Sequence, residues 1–434
     1  MQYIGLHRSH IRRMVGVCGL FSLMVTGCGG GSSGEAIETT ENTGERVQVV
    51  ERIGDNEYTL IQAQANLGNF EYSEIPVEDF LNDYFFLSNQ VSSTQFMLSE
   101  AQTFVIPEDT VSFSMNFNTP LAGEDVFVGE LESPSGQRVP LWGLIPCFDG
   151  TCSMVIPNQP GALFQPEAGE WNYRVLAEKS VVSGNQLDSA SINMIIRSNE
   201  NFGTELLPTL RVQPYYAGNE ISEGSVINIM NKLEDLFLSN NIGIDWRPAI
   251  HITPNAFSSM PPSYKEVKTN ILMEYGEANV INVHFVKSIN EEKQNAGSHL
   301  YPGMSEEVRT NLGIAAGIPG SLGTKGNANG VMVALGFGSG SGFQARSAIE
   351  TAKVAAHEIG HFVGLFHTTE GSGDTDPLGD TPSCELNDDD TLPVAENCPD
   401  GFNLMFPYVR EDGEVASALT DDQRFVIINS PMAQ

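Results

Sequence analysis

The sequence predicts an α+β protein: a mixed sheet built around one long helix, preceded by an antiparallel β-sandwich. Three observations carry that expectation. Residues 47–200 hold short runs of alternating polarity separated by Gly- and Pro-containing turns. Residues 201–434 instead alternate strand-like and helix-like segments. Within them Ala345 to Ala356 is rich in helix formers and free of Gly and Pro. At 434 residues the chain exceeds one ordinary core, so two domains are expected.

The N-terminus reads as an export signal. Arg8, Arg12 and Arg13 precede an apolar stretch, Met14 to Gly27, too short for a permanent membrane helix. It ends in Val25-Thr26-Gly27-Cys28, which resembles a bacterial lipoprotein box with Cys28 as the acylated residue. Residues 1–27 are thus the expected signal peptide, with an ordinary secretory signal as the alternative. Residues 28–46 form a flexible tether: after Cys28 they are mostly Gly, Ser, Thr and Glu, with almost nothing apolar. The expected place is the bacterial cell envelope, lipid-anchored outside the cytoplasm, or the medium.

In the β-rich region Val111–Phe117 alternates strictly, as do Asp125–Leu131 and, more loosely, Trp171–Val175. Pro134-Ser135-Gly136 and Glu167-Ala168-Gly169 mark turns between such strands. The pairing of Ser133-Pro134-Ser135-Gly136 with Gly169-Glu170-Trp171 is similar to the β-sandwich accessory domains of secreted bacterial peptidases. A spacer, a folding aid, a substrate-binding unit and an inhibitory pro-segment all remain open for residues 47–200. Beyond them Leu210–Tyr215 reads as a strand, Ser225–Leu238 as an amphipathic helix, and Gly243–Thr253 as a strand. Val280–Val286 is a third strand, preceded by a helical stretch, and Gly330–Gly336 a fourth. The Gly-rich run Gly336–Gly342 lacks the Lys-Ser/Thr ending of a phosphate loop and reads as a flexible connector.

The chemistry concentrates in His357-Glu358-Ile359-Gly360-His361-Phe362-Val363-Gly364-Leu365-Phe366-His367. His357 and His361, four apart on a helix, share a face and can reach one ion. Gly364 lets the backbone turn and return His367 as a third ligand. Three neutral imidazoles leave one zinc position open, the mark of a catalytic site. Glu358 stands beside the metal as general base for its water.

This stretch resembles the metzincin metallopeptidases, whose zinc lies above a Met-containing turn. Asn403-Leu404-Met405-Phe406-Pro407-Tyr408 fits that turn, with Met405 as structural floor. The loop Gly373 to Cys384, then Asn397-Cys398-Pro399 and Leu419–Arg424, is similar to the pappalysin (cytophagalysin-like) branch. The resemblance implies a zinc-dependent endopeptidase acting on extracytoplasmic protein or peptide, working as a monomer. It also implies an edge strand at Gly330–Gly336 that pairs with extended substrate. Asp374, Asp376 and Asp380 offer hard oxygens on a Gly-rich loop, and the resemblance makes Ca²⁺ binding there and a merely solvated acidic loop equal expectations. One departure stands out: Tyr408 comes third after Met405, with Pro407 second, similar to the adamalysin pattern. Pro407 fixes its own φ, so Tyr408 is expected to be structural.

Composition excludes other classes. A net charge of −33 has the wrong sign for a nucleic-acid partner and suits solubility outside the cell. With Cys18 lost to the signal and Cys28 lipidated, four cysteines remain as local pairs, Cys147/Cys152 and Cys384/Cys398. An even number in an exported chain suggests two disulfides. Zinc held by all four, or a latency contact from Cys147 or Cys152 to the catalytic metal, are the rival readings. A catalytically weak or inactive binding lipoprotein on a protease scaffold is the rival function.

Overall fold

The computed structural model describes residues 47–53, 56–75, 96–122, 125–139, 147–148, 150–161, 165–199, 207–253, 255–261, 267–290, 310–324, 329–339, 342–371, 373–387, 391–408 and 416–434. The expected signal segment, Cys28 and the tether lie outside them, as does His299, an isolated histidine that the sequence reads as packed or surface and not as a ligand. Among the described residues no helix is long and apolar enough to cross a membrane.

Eleven strands precede residue 200 among the described residues: β1 (Val47–Ile53), β2 (Asn56–Asn66), β3 (Tyr72–Glu74), β4 (Phe96–Ser99), β5 (Gln102–Ile106), β6 (Thr110–Asn118), β7 (Val126–Glu132), β8 (Cys147–Phe148), β9 (Thr151–Ile156), β10 (Gly169–Glu178) and β11 (Ser189–Ser198). A short helix, α1 (Lys179–Ser183), joins the last two. The strands form two antiparallel sheets, β1-β2-β11-β6-β9-β8 and β3-β4-β10-β5, with β7 on the free side of β10. Side chains from both fill one core. Phe113 of β6 meets Trp171 of β10 edge-on at 5.2 Å, and Phe104 of β5 stacks on the same indole. The alternating runs found in the sequence lie within β6 and β10 and, Asp125 apart, within β7.

The rest of the chain is built on a mixed sheet. Its elements are β12 (Thr209–Ala217), α2 (Glu223–Leu238), β13 (Gly243–Trp246), β14 (Ile250–Ile252), β15 (Ser259–Met260), α3 (Val267–Met273), β16 (Ile281–Val286), β17 (Ser288–Asn290), β18 (Thr310–Asn311), β19 (Gly313–Ala315), β20 (Val331–Ala334), β21 (Gly336–Ser339), β22 (Gly342–Ala345), α4 (Ala348–Val363) and α5 (Asp421–Asn429). The order is β13-β12-β16-β20-β19, parallel as far as β20, with β19 antiparallel at the edge. Strands β15, β17 and β18 make a small separate sheet. Helix α2 is capped by Ser222, whose side chain accepts from the Ser225 amide, and buries Val226, Ile229, Met230, Leu233 and Phe237. That spacing of three and four puts one apolar stripe against the sheet.

Three expectations change. The strand expected over Gly243–Thr253 is two, β13 and β14, with a break at Arg247–Ala249. Pro248 has no amide to give to a ladder there. The Gly336–Gly342 run is no simple connector, because β21 pairs antiparallel with β22. The edge role expected of Gly330–Gly336 also moves. Strand β20 is fully buried between β16 and β19, so among the described residues the outer position belongs to β19. The all-apolar Val-Met-Val-Ala run suits the interior, which sequence periodicity could not order against its neighbours.

Cys384 and Cys398 are disulfide-bonded, with Cα atoms 5.1 Å apart. Cys152 is disulfide-bonded too and faces Cys147 in the β8–β9 ladder; the Cys147 side chain lies outside the described residues. That disfavours a latency contact from Cys152 to the metal. Changing Cys384 and Cys398 together to Ser is expected to cost about 3 kcal/mol, from loop closure over the 14-residue separation. Chemical denaturation checks this; an unchanged midpoint overturns it.

Candidate metal centre

Helix α4 begins with a capping box. Ser347 accepts from the Glu350 amide while the Glu350 carboxylate accepts from the Ser347 amide. From Thr351 to Val363 nearly every residue is buried, so the helix is locked by packing on all sides. It stops at Gly364, which sits at φ 118°, in left-handed backbone that a side chain disfavours. The Gly364 and Leu365 amides close on the Gly360 carbonyl, and the chain reverses.

The reversal brings His367 back onto the helix. Its Nε2 lies 3.2 Å from Nε2 of His357 and 3.1 Å from Nε2 of His361. Nitrogens at about 2.0–2.1 Å from a tetrahedral zinc stand roughly 3.3 Å apart, so the three atoms outline one face of such a site. Each ring is aimed by its other nitrogen. Nδ1 of His357 donates to the Leu404 carbonyl at 2.8 Å, and Nδ1 of His361 to the Leu365 carbonyl at 2.7 Å. Nδ1 of His367 donates to the Glu370 carboxylate at 3.0 Å. These bonds place the ring proton on Nδ1 and leave Nε2 as the unprotonated nitrogen on every ring. Burial, then the neighbouring His361 and His367 rings, push the His357 pKa well below its ordinary value, keeping it neutral as a ligand must be. The three residues fit a zinc ion, and this donor set is the observation that says so.

Glu358 is buried one residue along the helix. Its carboxylate accepts the Ala315 amide of edge strand β19, and the chain crosses so close that a Cβ on Gly313 would fall 2.7 Å from Oε1. Burial pushes its pKa up to about 8, against the pull of the Ala315 amide and the Arg346 guanidinium. A divalent cation at the His trio acts in the same direction as that pull.

Met405 is fully buried, and a Cβ on Gly360 would lie 2.5 Å from its sulfur. The thioether therefore packs flat on the helix between the first two His, as a floor. Its turn is held by Asn403, whose Oδ1 accepts the Met405 amide at 2.8 Å and whose Nδ2 donates to Gln423. Gln423 completes the capping box of α5 with Thr420, so the Leu419–Arg424 segment anchors the turn.

The three aspartates divide. Asp376 is buried, its Oδ1 accepting the Leu378 amide, and its pKa is raised to about 6 by desolvation. Asp380 adds to that rise, and its Oδ2 accepts the Asp422 amide; Asp374 is exposed. Among the described residues the close clusters of three ligand types are the His trio and Cys384/Cys398/Asp400, so the aspartates are not brought together as one set. His284 is buried and stacks on Tyr215, and His251 stacks on Tyr216, both away from the trio.

Tyr408 is half-buried, its hydroxyl near Gly371 and its pKa raised by burial and then by Glu370. It buttresses the loop that carries Glu370. Tyr408→Phe is expected to change kcat by less than about fivefold; a fall near 10²-fold with metal content unchanged would instead mark an oxyanion donor.

Sequence reasoning missed Glu370, Asn403 and Gly313. Glu370 was findable, since a carboxylate three residues after a turn-borne His can reach back to it. Gly313 carries no local signal.

Residues 213–415, a little under half of the chain, match the sequence family Reprolysin_5, Metallo-peptidase family M12. No curated protein matches the chain. The family match and the His trio support a metzincin-like zinc metallopeptidase acting on protein or peptide.

Proposed function

We propose that this chain is an extracytoplasmic zinc endopeptidase in which Glu358 is the general base. The carrying observation is the convergence of three Nε2 atoms beside a buried carboxylate that is bonded to the outermost described strand of the sheet. His357, His361 and His367 would hold the ion. Zinc bound there supplies Lewis acidity, polarising a peptide carbonyl and acidifying a water. Glu358 takes the proton of the attacking water and hands it to the leaving amine. Strand β19, the outermost strand of its sheet among the described residues, is the one along which an extended peptide would add. Within the metzincins the reading is pappalysin-like, supported by the Gly373–Cys384 loop, Cys398 and the Leu419–Arg424 anchor.

Residues 47–200 are read as a β-sandwich accessory domain and 201–434 as the peptidase domain. Cys28 is read as a lipid anchor in the cell envelope. Cys28→Ser is expected to move the protein from the membrane fraction to the soluble one with peptidase activity retained. A variant still in the membrane fraction would overturn the anchor.

The function is tested by cleavage of denatured casein with and without a chelator. Chelator-sensitive cleavage restored by zinc is expected. No cleavage by zinc-loaded protein would favour the binding-lipoprotein rival, which no feature of the intact site supports.

A further inference from the structure

The antiparallel sheets of residues 47–199 press on the catalytic helix at two places. The first is its C-terminal turn. Val155 of β9 is buried, and a Cβ on Gly364 would lie 3.2 Å from its Cγ1 and 3.6 Å from Cγ1 of Val426 in α5. The turn is thus held between a strand of the N-terminal sheets and a helix at the far end of the chain. It is also the turn that aims His361, because the Leu365 carbonyl takes the His361 Nδ1 proton.

The second place is the segment after edge strand β19. Asn116 of β6 is buried, and its Nδ2 donates to the Leu322 carbonyl at 2.9 Å. A Cβ on Gly323 would lie 3.1 Å from Ile195 of β11. The same segment meets the helix: the Gly320 amide donates to the Phe362 carbonyl at 3.0 Å, and the Phe362 ring leaves no room for a side chain at Gly320. Upstream, Ala315 gives its amide to Glu358. Ile195 accordingly belongs to the same apolar core as Ile359, Phe362 and Met405.

Further contacts bind the junction. Tyr58 donates to the Ala433 carbonyl at 2.7 Å, and the buried Arg197 donates to the Ile428 carbonyl at 2.9 Å, in the last turn of α5.

From these contacts we infer that Val155 and Asn116 are positioning residues for the metal centre, and that residues 47–199 form the permanent back plate of the working peptidase. Val155 acts through Gly364 and Leu365 on His361. Asn116 acts through Leu322 and Gly320 on the end of α4, and through the segment leading back to β19 on Glu358. A removable pro-segment would have the opposite property: loosening it would raise activity. The inference rests on the zinc-peptidase reading above.

The test uses Val155→Ala and Asn116→Leu in the full exported chain, with Tyr58→Phe as a control at the same junction. Three quantities are measured: zinc affinity by chelator competition, the d–d absorption of the cobalt-substituted protein, and kcat and KM on a peptide. Positioning predicts zinc binding about threefold to tenfold weaker for Val155→Ala, short of the 10–100-fold typical of a direct partner of a ligand. It predicts a shifted cobalt band for Val155→Ala, and a lowered kcat with KM within about twofold for both variants. Tyr58→Phe should lower Tm and leave the band and zinc affinity alone.

Wild-type zinc affinity, cobalt band and kcat in both variants would overturn the proposal, whatever happens to Tm. So would a rise in kcat on loosening, or the same band shift in Tyr58→Phe. Failure of the zinc-peptidase reading shows separately, as wild-type protein that binds no zinc or cobalt at the trio or cleaves nothing.

Discussion

Glu358→Gln is expected to keep about one zinc per chain and to lose roughly 10²–10⁴-fold in kcat. The three imidazoles and their Nδ1 partners are untouched by the change, so metal binding stays. Gln cannot take a proton from water, and the Glu370 carboxylate is engaged at Nδ1 of His367, on the other side of that ring from its Nε2. Metal analysis and steady-state kinetics on one preparation decide it; residual kcat above about a tenth of wild type would remove Glu358 from the base role.

The same substitution has a second signature in metal-free protein. Burial raises the folded-state pKa of Glu358 from 4.5 to about 8. The folded state therefore binds this proton more tightly than the unfolded chain. Its stabilising contribution is complete below pH 4.5 and is lost as pH rises through 8. Wild-type apoprotein should weaken across that window by on the order of a few kcal/mol, while Glu358→Gln should not. Parallel slopes for the two would mean that the carboxylate is solvated.

His367→Ala is expected to abolish zinc retention at micromolar metal, and activity with it. Two helix-borne imidazoles remain, and the turn that returned the third ligand no longer supplies a donor. Glu370→Gln grades the effect. It keeps an acceptor for Nδ1 of His367 but removes the charge, so a 10–100-fold loss of zinc affinity is expected, between wild type and His367→Ala. Equal affinity in Glu370→Gln and wild type would show that the 3.0 Å contact does not tune the ligand.

The metal centre was legible because its information is local. The i, i+4 His pair, the adjacent Glu and the Gly turn lie within eleven residues, and helix geometry alone puts them on one face. The strands β6, β7 and β10 follow from equally short patterns. Cys384 and Cys398 were paired by proximity in the chain.

What only the tertiary structure decided is non-local. Which strand forms the sheet edge depends on pairing order, and Val331–Ala334 reads the same to periodicity whether inside or outside. The closeness of Gly313 to Glu358 joins residues 45 positions apart, and that of Val155 to Gly364 joins residues more than 200 apart. No composition or spacing rule spans such distances, because these contacts are selected by how whole sheets and helices fill shared volume. The aspartates show the same limit: spacing over seven residues does not say which acids are buried, and packing buries Asp376 and leaves Asp374 in solvent.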